Sequence, residues 1–137
     1  EYPSGPGAIF TSPEGANVGL TDVQANTQGD EGRADSALFR TLGKAQVIGE
    51  MAGQAKIVSD IGSGKILGVH IIGPHATDLI AEGTLAIQTG AKVQDLAATI
   101  HAHPTLAEIM LETTLKALDR SLHGEVCNRS YSKTWQA

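Results

Sequence analysis

The chain has 137 residues, a length that suits one compact domain, and its single cysteine, Cys127, excludes a disulfide within the chain. A formal charge of −5 argues against a surface for nucleic acids or anionic membranes, because both require clustered lysine and arginine. No run of about 18 apolar residues is present, so the sequence predicts no membrane-spanning helix. The lone cysteine and the lack of a signal-peptide pattern favour a cytoplasmic setting.

The first 53 residues predict short elements that proline and glycine separate. Pro13 ends a strand, since proline cannot donate to a sheet, while Thr21 suits a helix N-cap and Gly29 suits the end of that helix. The predicted segments are a strand over residues 8–11, a helix over 21–29, a second strand over 35–41 and a loop over 42–53. Before them, EYPSGPG is typical of a loop, and the start at Glu1 leads us to expect part of a longer protein.

Residues 54–74, QAKIVSDIGSGKILGVHIIGP, carry the clearest pattern. Two runs rich in β-branched residues, 55–61 and 65–73, flank the turn sequence GSG, and this pattern predicts a β-hairpin. Three helices are predicted after it, over residues 76–90, 93–100 and 105–122, with Gly90 ending the first and Thr105 starting the last.

Strands and helices are largely segregated along the chain, which argues against a doubly wound fold. The order predicts an α+β domain in which helices pack on one side of an antiparallel β-sheet. We expect three parts, namely a loop over residues 1–7, the domain over 8–122 and a tail without periodicity over 123–137.

The last predicted helix carries two apolar faces. A surface helix of a monomeric domain needs one apolar stripe, so the second face favours contact with another chain or domain. Burial within this domain alone is the alternative. The first face contains Leu106, Ile109, Met110, Thr113 and Ala117, and the second contains Leu111, Leu115, Leu118 and Leu122.

The segment IHAHPTLAE, residues 100–108, precedes that helix. Histidine can take up and release a proton near neutral pH, and Pro104 fixes the backbone beside His103. Glu108 could orient the His103 ring, as the partner of a general base does. Glu108 also completes a capping box with Thr105, and spacing alone favours this structural role, because capping boxes are common. We expect that one glutamate cannot fully serve both the ring and the backbone.

A metal site finds little support in the sequence. His101 and His103 could share a metal ion, but tight binding requires three or four ligands, and no spacing connects this pair with the other histidines, His70, His75 and His123. Motifs for dinucleotide binding, phosphate loops, CxxC pairs and nucleophile elbows are absent. We therefore expect no metal, at most a minor role for Cys127, and a base without a nucleophile in this chain.

Three stretches, AIFTSPEGANVGLT, GKILGVHIIGPHATDLIAEGTLAIQTGA and LAATIHAHPTLAE, occur in order within residues 8–118. They resemble the opening segment, the hairpin with its following helix, and the catalytic segment of the C-terminal interface domain in dihydrolipoamide dehydrogenases of the flavoprotein disulfide reductase family. The HPTxxE form favours this branch over mercuric reductases. Glutathione and trypanothione reductases share a His-Pro followed by a glutamate and are not excluded.

The resemblance implies an FAD-containing homodimer that oxidises protein-bound dihydrolipoamide with NAD, with a lipoyl domain of a 2-oxoacid dehydrogenase complex or a similar protein as partner. It implies His103 as the base given to the partner subunit's site, Glu108 as its orienting residue, and a cis bond to Pro104 near the partner's flavin. The FAD domain, the NAD domain and the CxxxxC pair are missing from this chain, so we expect the chain alone to bind neither cofactor and to be inactive. A dimerisation module without a catalytic role is the alternative.

Overall fold

A five-stranded antiparallel sheet forms the centre of the computed structural model, which describes residues 5–120 and residue 122. The strand order is β1-β2-β5-β4-β3. The strands are β1 Gly7–Ile9, β2 Glu14–Gly19, β3 Gly32–Leu38, β4 Gln54–Asp60 and β5 Ile66–Gly73. The helices are α1 Asp22–Thr27, α2 Gly43–Ile48, α3 Ala76–Thr89, α4 Val93–Ala98 and α5 Glu108–Ala117, with a 3₁₀ turn at Phe39–Thr41. None of the helices in this described part is both long and apolar enough to cross a membrane.

Helices α3 and α5 pack on the sheet around one hydrophobic core. α3 contacts β2 and β5, and α5 contacts β3 and β4. Val18, Ile57 and Val69, which are neighbours on paired strands, are buried together with Ile80 of α3 and Met110 of α5. This arrangement confirms the predicted α+β class with an antiparallel sheet.

The central hairpin and two helix ends agree with the sequence pattern. β4 and β5 pair across the GSG turn, where the Asp60 carboxylate accepts hydrogen bonds from the backbone N–H and the hydroxyl of Ser63. Thr21 caps α1 by accepting a bond from the N–H of Gln24, and Gly90 ends α3 in the left-handed region. These predictions are confirmed because each depends on local chemistry, a side-chain acceptor or a glycine that adopts positive φ.

The sequence pattern misses β2, although the strand lies between β1 and β5. Only Ala16 and Val18 of β2 are buried, which is too few residues to show a period of two. The strand forms because all of its residues pair with β5, from Gly73 to Gly68. The predicted first strand is present as β1, but it ends at Ile9 and not at residue 11.

The structure over residues 32–49 differs from two predictions. The strand predicted over 35–41 is β3, which starts earlier and ends at Leu38, because Phe39 turns into the core and is fully buried there. The loop predicted over 42–53 contains α2, which ends at Gly49 with a φ of 74°. Ala45 is the one buried residue among the six of α2, so no helical period could appear in the sequence.

The last two helices are shorter than predicted. α4 ends at Ala98 instead of residue 100, and α5 runs over Glu108–Ala117 instead of residues 105–122. Of the two apolar faces, Ile109, Met110, Thr113 and Leu115 are buried in this domain, Leu111 and Leu118 are half-buried, and Leu122 is 68% exposed. The domain's own core thus covers much of both faces, and contact with a second chain stays a prediction. The predicted domain boundaries at residues 8 and 122 also stay predictions, since the predicted tail lies outside the described residues.

Helix α3 approaches β5 very closely at Gly83. A Cβ atom at this position would lie 2.9 Å from both Cβ and Cγ2 of Val69, which is closer than carbon atoms pack. Alanine is the better helix former by about 1 kcal/mol, but its methyl group would have to displace a fully buried side chain. Close packing therefore requires glycine here.

We predict that Gly83→Ala destabilises the chain by about 1–2 kcal/mol, since an overpacking cost of about 1–3 kcal/mol exceeds the gain in helix propensity. The matched control is Gly43→Ala in α2, where a Cβ meets nothing within 4 Å. The control should be neutral or stabilise the chain by up to about 1 kcal/mol. The free energy of unfolding of both variants is measured by urea titration with circular dichroism as the signal. Equal stability of the two variants would contradict the close contact.

Candidate functional site

The loop over residues 99–107 joins α4 to α5 and carries both histidines of the IHAHPTLAE segment. Two threonine hydroxyls shape it. Thr99 donates to the carbonyl of Asp95 at 2.9 Å, and Thr105 donates to the carbonyl of Ala102 at 2.7 Å. Side-chain bonds therefore hold this backbone where neither a helix nor a strand does.

His103 stands at the surface with one ring nitrogen held. Its Nδ1 lies 2.8 Å from Oε1 of Glu108, and its side chain is 70% exposed, whereas that of Glu108 is 12% exposed. An ionised carboxylate only accepts hydrogen bonds, so Nδ1 carries the proton and Nε2 is the basic nitrogen of the neutral ring. No described residue bonds to Nε2. The peptide bond between His103 and Pro104 is cis.

Glu108 serves the ring and the backbone at the same time. Its second oxygen, Oε2, accepts a hydrogen bond from the N–H of Thr105 at 2.9 Å. The expectation that it could not serve both was wrong, because the two oxygens of a carboxylate can face different donors. The predicted N-cap at Thr105 was also wrong. The N-cap of α5 is Ala107, and the Thr105 hydroxyl donates to a carbonyl instead of accepting from a helix N–H.

A second histidine–carboxylate pair anchors the same loop, and sequence reasoning missed it. Nε2 of His101 lies 2.8 Å from Oε1 of Glu82 in α3, and Nδ1 lies 3.1 Å from the carbonyl oxygen of Thr99. The hydrogen bond to Glu82 raises the pKa of His101 above its ordinary value of 6.5, and the charges of Glu82 and Glu108 act in the same direction. The partners are 19 residues apart on different elements, so no local motif could signal the pair.

The described histidines do not converge on a metal ion. His101 and His103 bond to different carboxylates, and the other two have partners of their own: Leu20 O at 3.0 Å for His70 and Asp78 at 3.4 Å for His75. Within residues 5–120 and 122, no group of three or more histidine, cysteine or acidic side chains could hold a metal. His123 and Cys127 lie outside the described residues.

The geometry suits proton transfer at His103, and among residues 5–120 and 122 no cysteine lies beside it. The sequence contains one cysteine, Cys127, so a pair of redox-active cysteines would have to come from outside this chain. His103 and its neighbours Ala102 and Pro104 are exposed, which leaves the ring accessible to a group held elsewhere. The site is therefore suited to act as part of a larger assembly.

Comparisons with known proteins identify the family of this chain. The family model of the pyridine nucleotide-disulphide oxidoreductase dimerisation domain matches residues 5–114. Dihydrolipoyl dehydrogenase of Chlamydia muridarum is 46% identical over 123 residues, which cover 90% of this chain and 26% of the relative. Its counterpart in Bacillus subtilis is 44% identical over 118 residues, which cover 86% and 25%. The chain thus spans about a quarter of the length of these relatives.

Solved structures show the same fold. LpdA from Mycobacterium tuberculosis superposes with a TM-score of 0.79 at 25% identity, over 85% of this chain and 26% of that one. The HOCl-induced flavoprotein disulfide reductase RclA from Escherichia coli gives a TM-score of 0.76 at 21% identity, over 80% and 25%, and this likeness shows the fold alone. With the family match over most of its length, the chain belongs to the pyridine nucleotide-disulphide oxidoreductase dimerisation domain family.

Proposed function

We propose that this chain is the dimerisation domain of a dihydrolipoyl dehydrogenase and that His103, oriented by Glu108, is the acid–base residue of the enzyme. The 2.8 Å contact of Nδ1 with Glu108, combined with 70% exposure of the ring, is the observation that carries this proposal. A general base needs one nitrogen held in a single tautomer and the other within reach of substrate. The similar proteins named dihydrolipoyl dehydrogenase suggest the reaction.

The substrate in this proposal is a dihydrolipoyl group carried by the lipoyl domain of a 2-oxoacid dehydrogenase complex or a similar protein. Neutral Nε2 of His103 accepts the proton of one thiol, so that an S–H bond breaks, an N–H bond forms and a thiolate remains. The thiolate attacks a disulfide that the other subunit contributes, so that a mixed disulfide forms and one cysteine leaves as a thiolate. The second dihydrolipoyl thiol gives its proton to that thiolate and displaces the other cysteine, which closes the lipoyl disulfide and leaves the cysteine pair reduced. The positive charge left on the ring is stabilised by the adjacent carboxylate of Glu108.

FAD and NAD act outside this chain in the proposed enzyme. FAD, when bound, would carry the electron pair from the reduced disulfide to NAD. The exposed backbone of His103 and Pro104 fits contact with a flavin that the other subunit holds, and this chain is proposed to bind neither cofactor alone.

A second copy of the chain would complete the site as a homodimer. Ile100, next to the loop histidines, is 96% exposed, and Leu85 of α3 is 64% exposed. Exposed apolar side chains close to a candidate site favour a protein contact, and dimerisation is the role stated in the family description. Each copy would then provide His103 to the other.

Activity is tested in a chimeric enzyme in which this chain replaces the matching quarter of Bacillus subtilis dihydrolipoyl dehydrogenase. FAD content and gel filtration show whether each variant folds and dimerises. A chimeric enzyme that binds FAD and dimerises but does not oxidise dihydrolipoamide would contradict the proposed function.

In the chimeric enzyme, His103→Gln should lower the rate of dihydrolipoamide oxidation by about 10²–10⁴-fold, because glutamine has no basic nitrogen. FAD content should not change. His75→Asn is the control, since His75 is an exposed histidine with a φ of 56° that asparagine tolerates. NADH absorbance follows the reaction, and full activity of the His103 variant would show that the assignment is wrong.

Glu108→Gln should lower the rate of dihydrolipoamide oxidation less, by about 10- to 100-fold in the same assay. A glutamine has a single acceptor oxygen, so it can serve the His103 ring or the N–H of Thr105 but not both, and it no longer stabilises the charged ring. Glu50→Gln, a change at an exposed glutamate, is the matched control. A loss as large as that of His103→Gln would assign Glu108 more than an orienting role, and no loss would remove it from the site.

The 137-residue chain alone should form no NADH from dihydrolipoamide and NAD, because it lacks a cysteine pair to accept the electrons. The chimeric enzyme under the same conditions is the positive control. Reproducible NADH formation by the chain, abolished by His103→Gln, would contradict the expected inactivity.

A further inference from the structure

The loop that presents His103 is attached to α3 through His101, two residues earlier. The His101 side chain is 5% exposed, in contrast to the 70% of His103. Its Nε2 contacts Oε1 of Glu82 at 2.8 Å, and its Nδ1 contacts the carbonyl oxygen of Thr99 at 3.1 Å. Both ring nitrogens are thus engaged, one with another element and one within the loop.

These two partners determine the charge of the His101 ring. A backbone carbonyl oxygen can only accept a hydrogen bond, and so can the ionised carboxylate of Glu82. Each ring nitrogen must therefore carry a hydrogen, and a ring with hydrogens on both nitrogens is a cation. Such a ring has no free lone pair, so His101 can neither accept a proton nor bind a metal in this arrangement.

Acidic side chains of three neighbouring elements lie near His101. Glu82 faces it from α3, Asp95 of α4 lines the same cavity, and Glu108 of α5 lies within electrostatic reach. Burial of the ring lowers its pKa, but the hydrogen bonds and the negative charges outweigh this effect and raise it. The pair is partly buried, with the Glu82 side chain 28% exposed, and loss of one partner leaves the other uncompensated, so the two should behave as a unit.

We propose that protonated His101 and the Glu82 carboxylate form a fixed ion pair that clamps the loop to α3 and thereby positions the ring of His103. His101 and Glu82 are positioning residues, and they touch neither substrate nor cofactor. This inference rests on the proposed role of His103 as the base. Two residues of chain span at most about 7 Å, so a shift at His101 is transmitted almost directly to His103.

The charge of the ring is measured by nitrogen NMR of the histidine rings in the 137-residue chain. Because its pKa is raised, the His101 ring should lose its second proton only above pH 6.5, the ordinary histidine pKa. In Glu82→Gln the His101 ring should lose its second proton at lower pH, because the negative charge is gone. Asp78→Asn, which changes the exposed partner of His75 on the same helix, should leave the His101 signals unchanged. A His101 ring that loses its second proton at or below pH 6.5 in the unaltered chain would overturn the proposal.

The positioning role is measured in the chimeric enzyme. Glu82→Gln and His101→Gln should each lower kcat for dihydrolipoamide by about 10- to 100-fold, the loss expected when a catalytic group is displaced by about 1 Å. KM should change much less. The double variant should be no slower than the slower single variant, since both changes break one pair. Glu82→Asp keeps the charge and should recover part of the lost rate, whereas Asp78→Asn should have no effect.

A second reaction separates positioning from general damage to the fold. Transfer of electrons from NADH to an artificial dye requires the flavin but no thiol base, so Glu82→Gln and His101→Gln should leave it unchanged. Equal losses in both reactions would assign the pair to folding and overturn the proposal. Full kcat in both variants, together with an inactive His103→Gln, would overturn the clamp and leave the proposed function intact. Full activity of His103→Gln would contradict both the clamp and the proposed function.

Discussion

Helix α3 lies so close to β5 that a Cβ atom at Gly83 would stand 2.9 Å from the side chain of Val69. This contact sets the distance of the helix from the sheet and hence the position of the preceding residue, Glu82. Glu82 in turn holds His101, and the loop presents His103 two residues later. The position of the candidate base therefore depends on a series of contacts that begins in the core of the sheet.

The two histidine–carboxylate pairs contain the same chemical groups in opposite environments. His101 is nearly buried and both of its nitrogens are engaged with acceptors, so the ring has no free lone pair to offer an incoming group. His103 is mostly exposed and one nitrogen is held, so the other can exchange a proton with an incoming group. Burial and the number of hydrogen-bond acceptors, rather than residue type, separate the proposed anchor from the proposed base.

Glu108 links the two functions of the loop, because one carboxylate oxygen orients the His103 ring and the other accepts from the backbone of Thr105. A displacement of α5 would therefore change the ring and the loop together. The described part of the chain offers this arrangement at its surface and places no cysteine beside it. In the proposed enzyme, a second chain brings the reacting sulfur atoms to this site.

Local chemistry in the sequence determined the cap of α1 at Thr21, the GSG hairpin, the end of α3 at Gly90, and the candidate pair of His103 and Glu108. Each of these depends on residues that are close along the chain. Tertiary structure alone decided the rest. β2 exists because β5 pairs with it, β3 ends where Phe39 enters the core, and α2 buries a single alanine. The bond between Glu82 and His101 depends on how α3 and the loop after α4 meet in space. Periodicity and spacing carry no information about such contacts, because packing forms them between residues that the chain itself keeps apart.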